Sequence, residues 1–206
     1  MTQWQIPPQA VAFDVFGTLL MMKEPRNPWR QIAEAAGICT RDRYPVDPRR
    51  VPVSLQEFSE LCGAVWREAW ADDLAIEISS IPLFPESEEV LRRLGRAGLR
   101  LALASNVAQP YVQKVRGLLE GFVDVECYSC DIGAVKPEGR FFQAVCERLD
   151  VEPGAVLMVG DSAASDVIGA RAAGLLAVRI RRNVQLLKAD EIDDLHGILG
   201  IIGLHG

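Results

Sequence analysis

The chain has 206 residues, 49% of them hydrophobic, and a formal net charge of −6. That length allows one domain of moderate size or one domain carrying an insertion, and the apolar content is too high for a disordered chain. The acidic balance argues against nucleic acid or an anionic membrane surface as partner, and no apolar run approaches the roughly 18 residues of a membrane span.

The opening MTQWQIPPQA lacks the basic start of a signal peptide and carries two prolines, which points to a cytoplasmic protein. AVAFDVFGTL (10–19) then drives an apolar strand into a single carboxylate, Asp14, and breaks at once into Gly17-Thr18. Residues 20–82 change character. PWRQIAEAAG (28–37) and SLQEFSELCGAVWREAWADDLAIEI (54–78) are predicted helices, with Pro- and Arg-rich loops between them. Trp66 and Trp70 fall at i, i+4 of the second helix and are expected as a packing stripe.

From Phe84 onward, strand-like and helix-like segments alternate. ESEEVLRRLGRA (86–97) repeats apolar residues at helical spacing and stops before Gly98, and LRLALASN (99–106) is a buried strand ending on polar residues. QPYVQKVRGLLEG (109–121) is a helix with Pro in its first turn, and FVDVECYSC (122–130) a short strand. KPEGRFFQAVCERLD (136–150) is a helix opened by Pro137. AVLMVGD (155–161) is an apolar strand broken at Gly-Asp, SAASDVIGARAAG (162–174) a helix of small residues, and LLAVRI (175–180) another strand. RIRR (179–182) is expected as a solvated edge or turn, and GILGIIGL (197–204) as an apolar segment docked on the core.

Continuous apolar strands alternating with helices predict a doubly wound parallel α/β sheet, covered on both faces. The core then comprises 1–19 and 83–206, and 20–82 is a small all-helical insertion over it. In such sheets ligands sit beyond the carboxyl ends of the strands. Asp14, Ser105 and Asp161 each close an apolar strand at that edge.

The chemistry available there is narrow. The five cysteines are an odd count, and the Cys127–Cys130 pair has no second pair to complete a zinc site, so they are expected as reduced thiols. The two histidines, His196 and His205, lie near the C-terminus, which leaves little material for a Ser-His or Cys-His mechanism. A carboxylate nucleophile remains, Asp14. The Gly17-Thr18 turn offers N–H groups and a hydroxyl for an anion, Ser105 a hydroxyl, Asn106 an amide, and Lys136 a charge to neutralise substrate and nucleophile. Taken singly, Ser105 or Asp166 reads equally as a helix cap and Lys136 as a surface lysine. Asp161 and Asp166, five apart across a strand-to-helix turn, can both face Asp14. Three carboxylates in one cleft call for a cation, and Mg²⁺ suits all-oxygen ligands.

Four ordered segments, DVFGTL (14–19), LALASN (101–106), GAVKPEGRFF (133–142) and VGDSAASDVIGARAAG (159–174), resemble those of the haloacid dehalogenase superfamily with a helical cap. The resemblance implies a Rossmann-like core with the cap over residues 20–82. It implies Asp14 as nucleophile, Thr18 and Ser105 as anion-binding hydroxyls and Lys136 as charge neutraliser. It also implies Mg²⁺ held by Asp14, Asp161, Asp166 and the Phe16 carbonyl, with Gly17, Asn106 and Phe16 against substrate.

Phe16 departs from the pattern. The superfamily's phosphatases usually carry there a second Asp, a general acid/base, whereas its metal-independent dehalogenases often carry an aromatic because halide leaves without a proton. Gly160-Asp161 with Asp166 instead resembles the Mg²⁺-dependent phosphatases. A phosphatase of small metabolites with a weakened general-acid step reconciles the two, with a 2-haloacid dehalogenase and a non-catalytic binding module as alternatives. Dehalogenases also place an early cap arginine in the cleft, and Arg26, Arg30, Arg41 and Arg43 are all available. The expected partner is a small-molecule substrate, and the expected state a monomer or homodimer.

Overall fold

The computed structural model describes residues 7–184, 188 and 190–204. The opening residues 1–6, His205 and the outer limits of the expected core therefore lie outside the described residues.

Six strands, Ala10–Phe13 (β1), Arg100–Ser105 (β2), Val125–Tyr128 (β3), Val156–Gly160 (β4), Leu176–Ile180 (β5) and Glu191–Ile192 (β6), form one sheet in the order β3-β2-β1-β4-β5-β6. Every pairing is parallel. This is the expected doubly wound α/β architecture. The central strand shows why the sheet is covered twice. Val11 and Phe13 of β1 belong to one core with Leu101, Leu103, Leu157 and Val159, while Ala10 and Ala12 belong to another with Ala102, Ala104 and Met158. Side chains alternate between faces along a strand, so one face is built of large residues and the other largely of small ones. The helices Ser87–Arg96 (α4), Gln109–Leu119 (α5) and His196–Ile201 (α9) contribute Leu91, Val112 and Ile198 to the large-residue face. Gly139–Leu149 (α7) fills the alanine face with Phe141, Phe142 and Val145. Among the described residues no helix is long and apolar enough to cross a membrane.

Register then fixes the site. Phe13 pairs with Leu103 and with Val159, so Asp14, Ser105 and Asp161 leave the sheet together at one edge.

Between β1 and α4 the chain forms Pro28–Ala35 (α1), Leu55–Cys62 (α2) and Glu68–Ser79 (α3). The long predicted helix over 54–78 is two helices. Ser54 starts α2 with a reciprocal capping box to Glu57, and Gly63, at φ 73°, ends it in the left-handed conformation that glycine adopts without steric cost. Trp66 therefore sits in the connection rather than at i, i+4 of a helix, yet its ring still meets Trp70 edge-on at 6.0 Å. Both belong to a separate core of Ile32, Val53, Leu55, Phe58 and Trp70. Trp29 and Leu74 pack against that cluster and against the main core, and so join the two.

Three further elements differ from expectation. β3 covers only Val125–Tyr128, because Ser129–Ile132 turn into a short helix (α6). Helix α7 begins at Gly139 rather than at Pro137, because the backbone N–H and C=O of Lys136 are both taken by the Asn106 side chain. The segment 162–174 is a wide π-turn, Ala163–Ile168, followed by a short α-helix, Gly169–Ala172 (α8). The C-terminal α9 docks as expected, burying Ile198 and Leu199.

Phe58 is fully buried at the centre of the inserted helices, with Trp29 and Tyr44 edge-on at 5.2 and 5.3 Å. Phe58→Ala is expected to cost about 3–5 kcal/mol. The cost should fall on α1–α3: hydrogen exchange of their amides should rise while protection of β1 and β4 stays unchanged.

Candidate active site

The site is assembled around one ammonium. Lys136 Nζ donates to Asp14 Oδ1 at 2.7 Å and to Asp166 Oδ1 at 2.7 Å, and all three residues are buried. Asp14 is fixed at the end of β1 by its own N–H, which donates to the Val159 carbonyl at 2.8 Å. The Thr18 hydroxyl lies 3.5 Å from the other Asp14 oxygen. Asp166 sits inside the π-turn and accepts from the Ser162 N–H at 2.9 Å. Such turns are inserted where a side chain must be re-aimed, and here the turn aims Asp166 at Lys136.

Asn106 positions the lysine. Its Nδ2 donates to the Lys136 carbonyl at 2.9 Å and its Oδ1 accepts from the Lys136 N–H at 2.8 Å. Both ends of the amide are thus used on backbone, although Asn106 still lines the adjoining pocket. Ser105 is buried at the end of β2, beside this clasp.

Asp161 completes the acidic group. Carboxylate oxygens of Asp14, Asp161 and Asp166 lie within 4.8 Å of one another. Two glycines permit the approach. A Cβ on Gly17, whose φ is +85°, would stand 2.5 Å from Asp161 Oδ2, and one on Gly160 would stand 2.3 Å from the Asp166 carboxyl carbon.

The electrostatics follow from burial. Desolvation, working against the pull of Lys136 and reinforced by Asp166 and Asp161, pushes Asp14 up to about 6. Asp161 is raised for similar reasons, burial first and the Asp166 charge second. Desolvation opposes the Lys136 charge, but Asp14 and Asp166 outweigh it and hold the ammonium above its ordinary range. Lys136 therefore stays protonated at neutral pH.

The cluster opens toward a pocket of about 320 Å³ between the strand ends and the inserted helices, walled by Phe16, Trp29, Tyr44 and Tyr111. A larger hollow of about 660 Å³ lies at the opposite end of the strands, around Gln9, Asp150 and Pro153, and holds none of these groups.

A family model described as haloacid dehalogenase-like hydrolase matches residues 8–174. The chain belongs to the haloacid dehalogenase-like hydrolases. Within this family it is 37% identical over 143 residues to a phosphoserine phosphatase of Thermus thermophilus, covering 67% of this chain and 57% of that protein. It is 30% identical over 201 residues to (S)-2-haloacid dehalogenase 1 of a Pseudomonas species, covering 85% and 86%. A solved HAD phosphatase from Thermococcus onnurineus superposes with a TM-score of 0.68 at 28% identity, covering 95% and 98% of the two chains. The chain spans about half the length of the first curated relatives it matches, 57% and 51%. Phosphatases and dehalogenases thus both stand among the relatives of this haloacid dehalogenase-like hydrolase.

Of the four candidate cap arginines, Arg41 lines the pocket, Arg26 and Arg30 pair with Glu24 and Glu34 on the surface, and Arg43 is exposed. Arg49, unremarked in the sequence, also lines it and holds Asp47 in a two-point pair.

The RIRR expectation is corrected. Arg182 is largely buried: it donates to the Thr18 carbonyl at 2.8 Å and to Glu86 at 2.6 Å, and its guanidinium lies 3.5 Å from the centre of the Phe84 ring. Arg179 donates to the Asp161 carbonyl at 2.9 Å, and Arg181 pairs with Glu191 at 3.1 Å. A strand-end run of arginines looks solvated in sequence because its carbonyl partners are distant in the chain and carry no residue signature.

Two outcomes are expected. The folded pKa of Asp14, near 6, lies above the ordinary 3.8, so between about pH 4 and 6 the folded state keeps a proton that the unfolded chain has released. This group therefore makes the metal-free protein less stable as pH rises through that window, and the loss levels off above it. The stability difference between wild type and Asp14→Asn, followed by urea unfolding, should shift against the wild type across pH 4–6. Arg182→Met should release the Thr18 carbonyl and lower kcat by up to about a hundredfold, with KM changing far less and circular dichroism unaltered.

Proposed function

We propose that the protein is a Mg²⁺-dependent phosphatase of small phosphorylated metabolites, in which Asp14 is the nucleophile and the inserted helices, residues 20–82, are the cap. The observation that carries this reading is Asp161. A dehalogenase has no use for a third acid beside Asp14 and Asp166, and gathering three carboxylates within 4.8 Å is unfavourable unless a cation joins them. An all-oxygen donor set of this span fits Mg²⁺, held by Asp14, Asp161, Asp166 and the Phe16 carbonyl. Bound there, the ion would neutralise charge on the phosphoryl oxygens.

The chain's own residues account for the rest. An Asp14 oxygen forms a bond to phosphorus as the bond to the leaving oxygen breaks, and the leaving oxygen departs with the electron pair. Lys136 holds the attacking carboxylate still and stays cationic beside the transferred group, while Thr18 and Ser105 offer hydroxyl donors to its oxygens; the Gly17 N–H is already donated to the Leu20 carbonyl at 2.9 Å. Water then attacks the aspartyl-phosphate, releasing phosphate and restoring Asp14.

Phe16 supplies no proton in either step. The reading therefore favours leaving groups that need none, such as aryl or acyl phosphates. The same aromatic favours the second reading, metal-independent dehalogenation of a 2-halo acid with an Asp14 ester intermediate, and the dehalogenase relatives support it.

Phosphate and chloride release, each with and without EDTA, separates the two. The phosphatase reading expects EDTA-sensitive phosphate release from an aryl phosphate and little from sugar phosphates. Phe16→Asp should then raise alkyl-phosphate turnover, by up to the general-acid factor of about 10²–10⁴. Chloride release that EDTA leaves untouched, with no gain from Phe16→Asp, would transfer the assignment to the dehalogenase.

A further inference from the structure

The pocket beyond Asp14 contains a buried carboxylate that phosphoryl transfer does not use. Glu77 on α3 is 5% exposed and lines the pocket. One of its oxygens, Oε2, accepts from the Asn27 N–H at 3.1 Å; the Arg26 N–H and the Tyr111 hydroxyl also face the carboxylate, and no ion pair reaches it among the described residues. Around it stand aromatic rings. Tyr111 lies beside the carboxylate, Phe16 meets the Tyr111 ring edge-on at 6.1 Å, and Trp29 and Tyr44 complete the wall. The Trp29 indole N–H, also on this wall, is buried and closes no hydrogen bond.

This arrangement is costly in an empty pocket. The donors to Glu77 are all neutral, and a carboxylate taken out of water is left with an uncompensated charge until a cation reaches it. What the acid and the rings share is affinity for a positive charge: the carboxylate by direct pairing, the faces of tryptophan and tyrosine by their quadrupoles. The unpaired arginine of the lining, Arg41, is exposed at the rim, so it neither neutralises Glu77 nor competes for it.

We propose that this pocket binds an alkylammonium group on the leaving portion of the substrate, with Glu77 as the specificity-determining residue. The inference rests on the phosphatase reading for the other end of the ligand, where the phosphoryl group meets Asp14 and Lys136. It also fits Phe16. An ammonium close to the ester oxygen withdraws electrons and makes the departing alkoxide a better leaving group, which matters in a site that offers it no proton.

The test compares two esters of nearly equal shape, O-phosphoethanolamine and n-propyl phosphate, which differ in bearing an ammonium or a methyl. Calorimetric titration into Asp14→Asn, with Mg²⁺ present and turnover suppressed, gives the ratio of their dissociation constants. A charge-assisted contact of this kind corresponds to roughly a tenfold to hundredfold preference for the ammonium ester. Glu77→Gln in the same background retains an oxygen for Asn27 while removing the charge, and should bring the ratio to within about twofold of one. Equal binding of the two esters before any change at Glu77 overturns the inference, since Glu77 would then serve only the protein groups around it. A preference that survives Glu77→Gln overturns it as well, as does failure of both esters to bind. The wild-type comparison needs no substitution at Glu77, so misfolding of that variant leaves the test intact. Phosphate release from an aryl phosphate by wild type reports separately on the phosphatase reading: turnover with no ammonium preference removes the inference and keeps the phosphatase.

Discussion

The bridge from Lys136 to Asp14 and Asp166 is the interaction on which the site depends. Three buried groups share two contacts of 2.7 Å, with one ammonium serving both carboxylates. Breaking such a group by removing one member leaves an uncompensated charge and is far more damaging than its net contribution would suggest. The surrounding architecture serves to place these three groups. β1 delivers Asp14, the Asn106 side chain grips the backbone of Lys136 on both sides, and the π-turn with its Ser162 N–H orients Asp166. Even so, the site is charge-unbalanced. With all three acids ionised, Asp14, Asp161 and Asp166 against one lysine leave two net negative charges, a repulsion that adds to burial, the larger cause, in shifting Asp14 and Asp161 upward.

A second tier holds the loops that carry these residues. Arg182 ties the turn after Asp14 to Glu86 at the entry of α4, and Arg179 ties the Asp161 carbonyl to β5. Both reach back from the strand next to β4, so the strand end and both acidic loops are braced from one side. A guanidinium suits this work because it offers several donors in a fixed plane and can lie flat on an aromatic ring, as Arg182 does on Phe84. These contacts add to the turn's own backbone hydrogen bonds, Gly17 N–H to the Leu20 carbonyl at 2.9 Å and Leu19 and Leu20 N–H to the Val15 carbonyl at 2.9 and 2.8 Å, in holding a tight Gly17 turn pressed against Asp161.

What was legible in the sequence follows from which interactions are local. The parallel sheet could be read because each strand is a continuous apolar run, and the convergence of Asp14, Ser105 and Asp161 follows from strand direction alone. The break at Gly63 was not read, because helical periodicity runs on through Trp66 and Trp70 and the left-handed stop consists of one residue. The π-turn was equally hidden, since small residues are compatible with either helix. Glu77 escaped notice because, within a helical repeat, a buried acid looks like any other polar position. Its neighbours Trp29 and Tyr111 lie 48 and 34 positions away in the chain. Arg182 and Arg49 were hidden for related reasons: Arg182 reaches backbone carbonyls and a Glu86 that lies 96 positions away, and Arg49 pairs with an Asp47 close by in a loop, neither of which leaves a spacing to detect.

Phe16 joins the two halves of the molecule, and its chemistry is best understood from both sides. Its ring packs edge-on against Tyr111 at the floor of the pocket, while its backbone follows Asp14 by two residues. A carboxylate in its place would lose that aromatic contact and add a fourth acid to a cleft that already has three acids and one cation. Asp14, pushed up to about 6 by burial and its neighbours, would be harder still to ionise. With phenylalanine Asp14 keeps more of its charge, and the pocket keeps a dry wall, at the expense of a proton donor. That exchange is favourable only where the departing group tolerates its own negative charge. On the proposed phosphatase reading, the residue that limits the range of leaving groups is thus also the one that couples the sheet edge to the pocket wall.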